Sequence, residues 1–367
     1  MNIALLGAGH IGQTIARLLN ASGDYRVTIM DRDRHALEVA ANATANACAT
    51  RPLALENPTI LREALSGQDA VVNALPYSLA IHAATQAAAA GCHYFDLTED
   101  VAATQAIIRL AEGARTAFMP QCGLAPGFIS IAAHHVAAGF DSVRDLKLRV
   151  GALPAFPSNA LKYNLTWSVD GLINEYCHPC DAIRDNRRIP VLPMEGLEHF
   201  SLDGVEYEAF NTSGGLGTLC ATLEGKVENL DYKSVRYPGH RALMSMLLDE
   251  LQLKSDPDNL KTIFRRSVPT TLQDVVLVVV IASGMRNGVL AQEVLARKIF
   301  AERTDGHTHS AIQITTAAGI CAALDLFRTG KLPKRGFIRQ EQINLPDFLA
   351  NRFGRAYAQS THIESIS

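Results

Sequence analysis

Through the first third of the chain, short apolar runs alternate with amphipathic stretches. Met1 to Leu6, Tyr25 to Met30, Arg51 to Leu55, Asp69 to Ala74, Tyr94 to Asp96 and Ala117 to Pro120 read as short strands. Between them, Gln13 to Leu19, Arg34 to Ala47, Pro58 to Leu65, Leu79 to Ala90 and Val101 to Gly113 are apolar at helical spacing. Pro58 opens one of these helices and Gly91 closes another. Strict alternation of this kind predicts a doubly wound parallel sheet of six strands, α/β in class, with ligands beyond the carboxyl ends of the strands. After Gly139 the pattern changes. Leu146 to Leu153, Cys180 to Leu192, Glu198 to Thr212, Thr218 to Leu223 and Val275 to Ala282 read as strands in runs, with two helices among them. Asp203-Gly204 has the composition of a hairpin turn. This predicts a second, α+β domain with an antiparallel or mixed sheet. Ser310 to Phe327 and Pro346 to Phe353 are helical again and are expected to rejoin the first domain. The expected domains are residues 1–122 plus about 310–367, and residues 123–309. The tail after Tyr357 is polar and is expected to fray.

The first strand runs straight into Gly7-Ala8-Gly9-His10-Ile11-Gly12 and then into a helix. In that context G-x-G-x-x-G is a dinucleotide-binding fingerprint, the mark of a Rossmann domain. Gly7 permits the turn, Gly9 leaves room for a pyrophosphate, and Gly12 lets helix and strand pack closely. The helix start at His10 and Ile11 offers N–H groups to phosphate. Asp31 ends the second strand, nineteen residues after Gly12, where an acid suits the ribose hydroxyls. Its charge favours NAD and disfavours a 2′-phosphate, although the neighbouring Arg32 could serve NADP. Ala74-Leu75-Pro76 follows another strand end and joins the expected cofactor site.

Composition narrows the classes. Hydrophobic residues make up 48% and charged residues 19%, enough for a core and unlike a disordered chain. A formal charge of −3 provides no basic field for nucleic acid or an anionic membrane. The longest apolar run, Val275 to Ala282, is too short to span a bilayer. With direct entry into the nucleotide turn no signal peptide is expected, and seven cysteines suit reduced thiols in the cytoplasm. Cys177-His178-Pro179-Cys180 lacks the second ligand pair of a zinc ribbon, with only His307 and His309 as other candidates. No metal is expected. Cys122, at the end of the last strand, is placed to neighbour substrate or nicotinamide.

Several stretches together resemble the saccharopine dehydrogenase family, most closely its lysine 6-dehydrogenase-like branch. They are Ala74-Leu75-Pro76-Tyr77, Gly91 to Glu99, Cys122 to Gly127, Leu165 to Tyr176, Lys233 to His240 and the helix Ala317 to Leu326. The resemblance implies oxidoreduction at a carbon–nitrogen bond of an amino-acid substrate such as L-lysine or a saccharopine-like conjugate, with NAD or NADP. It also implies a substrate and dimerisation domain, a C-terminal return to the first domain, and a homodimer. Run in reverse, a relative of the carboxynorspermidine type reduces an imine made from an amine and a carbonyl compound. A non-catalytic dinucleotide sensor is the alternative from another class.

For amine oxidation the substrate nitrogen must be neutral, so a general base is needed. Asp96, Glu99 and His240 are the candidates. Arg236 suits a substrate carboxylate. Glu175 or Asp170 suits an amino group, and Trp167, the only tryptophan, suits a pocket wall.

Overall fold

The computed structural model describes residues 1–304 and 307–358, so the last nine residues, where fraying was expected, lie outside it. The chain divides into two units, Met1–Ile131 with Gln313–Ala358, and Ala132–Ile312.

The first unit opens with β1 (Asn2–Leu6), α1 (His10–Ala21), β2 (Arg26–Asp31), α2 (Arg34–Ala43), β3 (Ala49–Pro52) and α3 (Pro58–Leu65). It continues with β4 (Ala70–Asn73), α4 (Ala80–Ala90), β5 (His93–Asp96), α5 (Val101–Ala111) and β6 (Ala117–Met119). The helices start where side-chain acceptors meet their free N–H groups. Asp33 caps α2, Asn57 caps α3 and Asp100 caps α5. Helix α4 ends on Gly91, whose φ of 72° is the left-handed conformation a C-cap needs. Strand β3 lies two residues earlier than expected and is exposed along its length, as an edge strand is.

Helix α6 (Ile129–Ala137) leads into the second unit. Its elements are β7 (Ser142–Pro154), α7 (Val169–Cys177), β8 (Cys180–Arg184), β9 (Arg187–Val191), β10 (Glu198–Leu202), β11 (Val205–Asn211), α8 (Leu219–Leu223), β12 (Val227–Arg236), α9 (His240–Ser245), α10 (Pro257–Ser267), β13 (Asp274–Arg286), β14 (Val289–Phe300), β15 (Glu302–Thr304) and β16 (His307–His309). The main sheet has the order β10-β11-β12-β7-β13-β14, with β8 and β9 joined to β12. It is mixed, because β12 and β7 run parallel while the other pairs are antiparallel. Val276, Val278 and Val280 alternate on one face of β13 at 0% exposure. Burial contributes on the order of 1.5–3 kcal/mol for each such side chain.

Three expectations need correction here. Thr218 to Leu223 is the helix α8, with Leu219, Cys220 and Leu223 buried at helical spacing. Cys180 to Leu192 is a hairpin, reversed at Asp185 and Asn186, both with positive φ. Strands β12 and β14 were not anticipated at all.

The chain then returns to the first unit through α11 (Ala311–Arg328), β17 (Gly336–Phe337) and α12 (Leu345–Ala350). Helix α11 is long and apolar enough to cross a membrane, yet 72% of it is buried inside the protein, as in a core helix. Strand β17 pairs parallel with β6 and extends the sheet to seven strands, in the order β17-β6-β5-β4-β1-β2-β3. The doubly wound Rossmann sheet is therefore present, one strand larger than the pattern predicted.

Candidate functional site

The glycine turn leaves space where a pyrophosphate would lie. A Cβ on Gly12 would meet the Gly7 carbonyl oxygen at 2.0 Å, and one on Gly7 would meet that of Ala74 at 2.9 Å. At Gly9 nothing lies within 4 Å. Two glycines are thus demanded by packing, and the third opens ground above the start of α1. Gly9 provides no side-chain cap, and the N–H groups of His10, Ile11 and Gly12 donate to no described residue. Donors left free beside open ground fit a dinucleotide pyrophosphate. Asp31 Oδ2 accepts from Ala8 N at 2.7 Å and Oδ1 from Asp33 N at 2.9 Å, so the acid braces the turn it stands beside. Arg32 pairs with Glu56 at 3.0 Å on the exposed rim. Ala74 N bonds to Leu6 O, and Asn73 Oδ1 accepts from Leu75 N, which fixes Ala74-Leu75-Pro76 beside the turn.

A hydrogen-bonded chain ties the ends of β4, β5 and β6. Asn73 Nδ2 donates to Tyr94 Oη at 3.0 Å, and Tyr94 Oη donates to Asp96 Oδ2 at 2.9 Å. Asp96 Oδ1 accepts from the N–H groups of Thr98 and Gln121, both at 3.0 Å. Burial raises the Asp96 carboxyl to about 6 against the pull of these donors. Both of its oxygens are engaged, so Asp96, expected as a catalytic candidate, acts as a positioning residue for the strand ends. Glu99 is different. It is half-buried, and burial together with the charges of Asp100 and Asp96 pushes it up to about 7, a value suited to a base at neutral pH.

Cys122 is 1% exposed. Its thiol donates to Met119 O at 3.1 Å and accepts from Gln340 Nε2 at 3.2 Å, and burial pushes its pKa far up. These contacts correct the expectation of a substrate contact, since the sulfur is occupied inside the first unit.

In the second unit, Arg236 at the end of β12 is 3% exposed. Its Nε donates to Tyr176 Oη at 2.8 Å and its Nη1 to Val235 O. Tyr163 and Tyr176 present their rings to the guanidinium at 5.2 and 5.6 Å. Burial works against the charge, but Tyr176, Tyr163 and Glu175 outweigh it and raise the pKa. Among the described residues Arg236 has no salt-bridge partner, and no hydrogen bond from its Nη2 is formed. Glu175 neighbours Tyr176 on α7, half-buried and close enough for its charge to act on Arg236.

His240 is wholly buried behind this group. Nδ1 lies 2.9 Å from Leu161 O and Nε2 lies 3.0 Å from Tyr176 Oη. A carbonyl only accepts, so Nδ1 carries the proton and Nε2 accepts from the tyrosine. The relay runs from Arg236 to Tyr176 to His240 to Leu161. Burial and the Arg236 charge lower the His240 pKa to about 3. This corrects the expectation of His240 as a catalytic base, because both nitrogens are committed and the ring is neutral. Tyr176 and Tyr163 were missed from sequence. Tyr163 Oη and Thr166 Oγ1 are buried without a hydrogen-bond partner.

Trp167 packs half-buried against the apolar cluster of Tyr163, Tyr176 and Phe210. Asp170, one acid of the expected pair, is held by Arg265 at 2.7 Å and Lys261 at 3.1 Å. Cys177 and Cys180 are free thiols whose pKa values burial raises, Cys180 to about 12.

A Gly-rich turn with open ground above it, on a doubly wound sheet joined to a separate sheet unit, defines the class of two-domain NAD(P)-dependent oxidoreductases. Residues 3–118 match the family model described as the saccharopine dehydrogenase NADP binding domain, and residues 123–354 match the saccharopine dehydrogenase C-terminal domain. The chain belongs to the saccharopine dehydrogenase family. Its fold is similar to that of the apo, histidine-tagged saccharopine dehydrogenase (L-Glu forming) from Saccharomyces cerevisiae. The TM-score is 0.78 at 16% identity, over 95% of this chain and 96% of the other. A myo-inositol dehydrogenase from Corynebacterium glutamicum gives a TM-score of 0.44 at 15% identity, over 90% and 88% of the two chains.

Proposed function

We propose that this oxidoreductase transfers hydride at the carbon–nitrogen bond of an amino-acid substrate, L-lysine or a saccharopine-like conjugate. The observation that carries the reading is Arg236. A buried guanidinium with no salt-bridge partner among the described residues, aimed by Tyr176 and with Nη2 unused, suits a carboxylate supplied by substrate. Glu175 beside it suits the α-amino group, and Trp167 provides apolar wall. Glu99 takes the proton from the reacting nitrogen. The substrate carbon gives up hydride, the nitrogen gives up a proton, and an imine remains to hydrolyse or cyclise. A dinucleotide held through its pyrophosphate by Gly7, Gly9 and the start of α1 would supply the hydride acceptor. Asp31 favours NAD over NADP, because a 2′-phosphate would stand against its carboxylate. The protein works as a cytoplasmic homodimer.

The test is absorbance at the reduced-nicotinamide band with NAD or NADP and a panel of amines led by L-lysine. Growth with lysine supports the reading. Signal only in reverse, with an amine plus an α-keto acid or aldehyde, moves the assignment to a reductive condensation. Intact cofactor binding without turnover in either direction refutes catalysis and leaves a sensor. Arg236→Gln should raise KM for the amino acid at least tenfold and leave cofactor affinity unchanged.

A further inference from the structure

Two hydroxyls of the second unit are left over by everything described so far. Tyr163 Oη and Thr166 Oγ1 are buried with no hydrogen bond, and Tyr163 as a whole is 1% exposed. A buried hydroxyl without a partner is costly, and folded proteins seldom keep one unless a ligand or an ordered water answers it. The loop before α7 nonetheless holds Tyr163 firmly in place. Asn159 Nδ2 donates to Tyr163 O at 2.7 Å and to Asn164 Oδ1 at 3.1 Å, while Lys162 N donates to Asn159 O at 2.9 Å. Lys162 takes a φ of 48°, the left-handed region that a residue of its kind enters only at a cost. Leu165 N donates to Pro269 O at 2.8 Å and pins the far side of the loop. The Tyr163 ring lies 5.2 Å from the Arg236 guanidinium. Burial raises the Tyr163 pKa, and Arg236, Trp167 and Thr166 pull back against it, so its hydroxyl stands within reach of all three. Arg236 uses Nε and Nη1 on Tyr176 and Val235 and keeps Nη2 unused. Three donors without partners are thus gathered around one tyrosine.

We propose that Tyr163 and Thr166 complete a carboxylate socket with Arg236, and that these two hydroxyls set a preference for a free amino acid over the matching plain amine. An ionised carboxylate is acceptor only, and its two oxygens offer about four lone-pair sites. Arg236 Nη2 and Tyr163 Oη donate to it, and Thr166 Oγ1 fills a remaining site. The guanidinium supplies the charge, while the hydroxyls supply direction and a stricter demand. A ligand without the carboxylate sends three buried groups back to being unpaired, which discriminates far more than a missing methylene would. The two tyrosines beside Arg236 therefore differ in kind. Tyr176 is bonded within the protein and aims the guanidinium, whereas Tyr163 has its hydroxyl in reserve for the ligand. The identity of the ligand rests on the carbon–nitrogen reading above, but the socket is read out by binding and stability, so either can fail alone.

The test uses Tyr163→Phe and Thr166→Val in the full chain, each close to its parent in shape. Neither hydroxyl is bonded in the unliganded protein, so both variants should unfold in urea at or above the wild-type midpoint. A hydroxyl that served only the fold would lower it. Trp167, the only tryptophan, is half-buried beside Tyr163, and its fluorescence reports binding without turnover. L-lysine or L-saccharopine should shift that emission saturably in wild type. Cadaverine, which is lysine without its carboxylate, should bind about a hundredfold more weakly than lysine. Each variant should raise the amino-acid Kd about tenfold and leave cadaverine binding unchanged. This pattern of binding with no turnover would support the socket while overturning the dehydrogenase reading. Turnover of the amino acid by variants that keep the wild-type Kd would overturn the socket and spare that reading. Failure of both amino acids to bind, equal binding of lysine and cadaverine, or a lowered midpoint with an unchanged Kd also overturns the proposal.

Discussion

Tyr176→Phe is the sharpest probe of the buried relay. The change removes one oxygen from a side chain that is 1% exposed. That oxygen accepts from Arg236 Nε at 2.8 Å and donates to His240 Nε2 at 3.0 Å. Phenylalanine fills the same ring space, so no large cavity forms and the loss is polar. Orphaning a buried charged donor costs roughly 1.5–3 kcal/mol, and a neutral acceptor about 1–3 kcal/mol. The two penalties share one hydroxyl, so a loss of about 3 kcal/mol is expected. For a unit of this size that lowers Tm by about 6–12 °C. Trp167 is the only tryptophan and packs in the same apolar cluster, so its fluorescence during urea unfolding reports this unit specifically. KM for the amino acid should rise about tenfold, as Arg236 loses the partner that aims it. Cofactor affinity should stay constant. A double-mutant cycle with His240→Leu should give a coupling of at least about 1 kcal/mol. A stability loss under about 1 kcal/mol with KM unchanged would refute the relay.

The glycine turn separates packing from binding. Gly12→Ala should unfold or badly weaken the first unit, since its Cβ meets a carbonyl at 2.0 Å, whereas Gly9→Ala should fold normally and lose NAD in a binding titration. With Glu99 near 7, amine oxidation should gain rate as pH rises through 7 and the carboxylate forms, and Glu99→Gln should lower the rate and flatten that limb of the kcat/KM profile. Asp274 caps the start of α11 through the N–H groups of Ala311 and Ile312, and burial raises its carboxyl from 3.8 to about 6. The folded state then holds this proton more tightly than the unfolded chain. Stability should fall by up to about 3 kcal/mol as pH rises from 4 to 6, and Asp274→Asn should remove that fall in urea titrations.

The parts that sequence reveals are local ones. The glycine turn, Asp31 and the alternating strands of the first unit each declare themselves within a dozen or two neighbouring residues, and the family resemblance carries the rest of the class. What escapes depends on partners far along the chain. Strand β12 buries Asp231, Lys233 and Arg236, so it does not read as a strand until Arg149 and Glu198 are seen opposite. Strand β17 has two residues and exists only because β6 offers an edge. Strand β14 did leave a signal in Asn287-Gly288, a turn dipeptide with positive φ at both residues. Arg236 can be chosen by residue type, but its aim comes from a tyrosine sixty positions earlier. The withdrawal of His240 from acid–base duty follows from burial that no spacing rule could supply.

The split makeup of the first unit bears on how a ribosome delivers this protein. Residues 313–358 belong to the same unit as residues 1–131, and β17 completes a sheet begun over 300 residues earlier. The second unit is one uninterrupted span. The later-starting unit can therefore finish during translation while the earlier one waits, its β6 edge open, for the final helix and strand to emerge. The usual first-made, first-folded order is reversed. A stalled or truncated product ending near residue 310 would carry a finished second unit beside an unfinished nucleotide sheet, the form a chaperone or protease would meet.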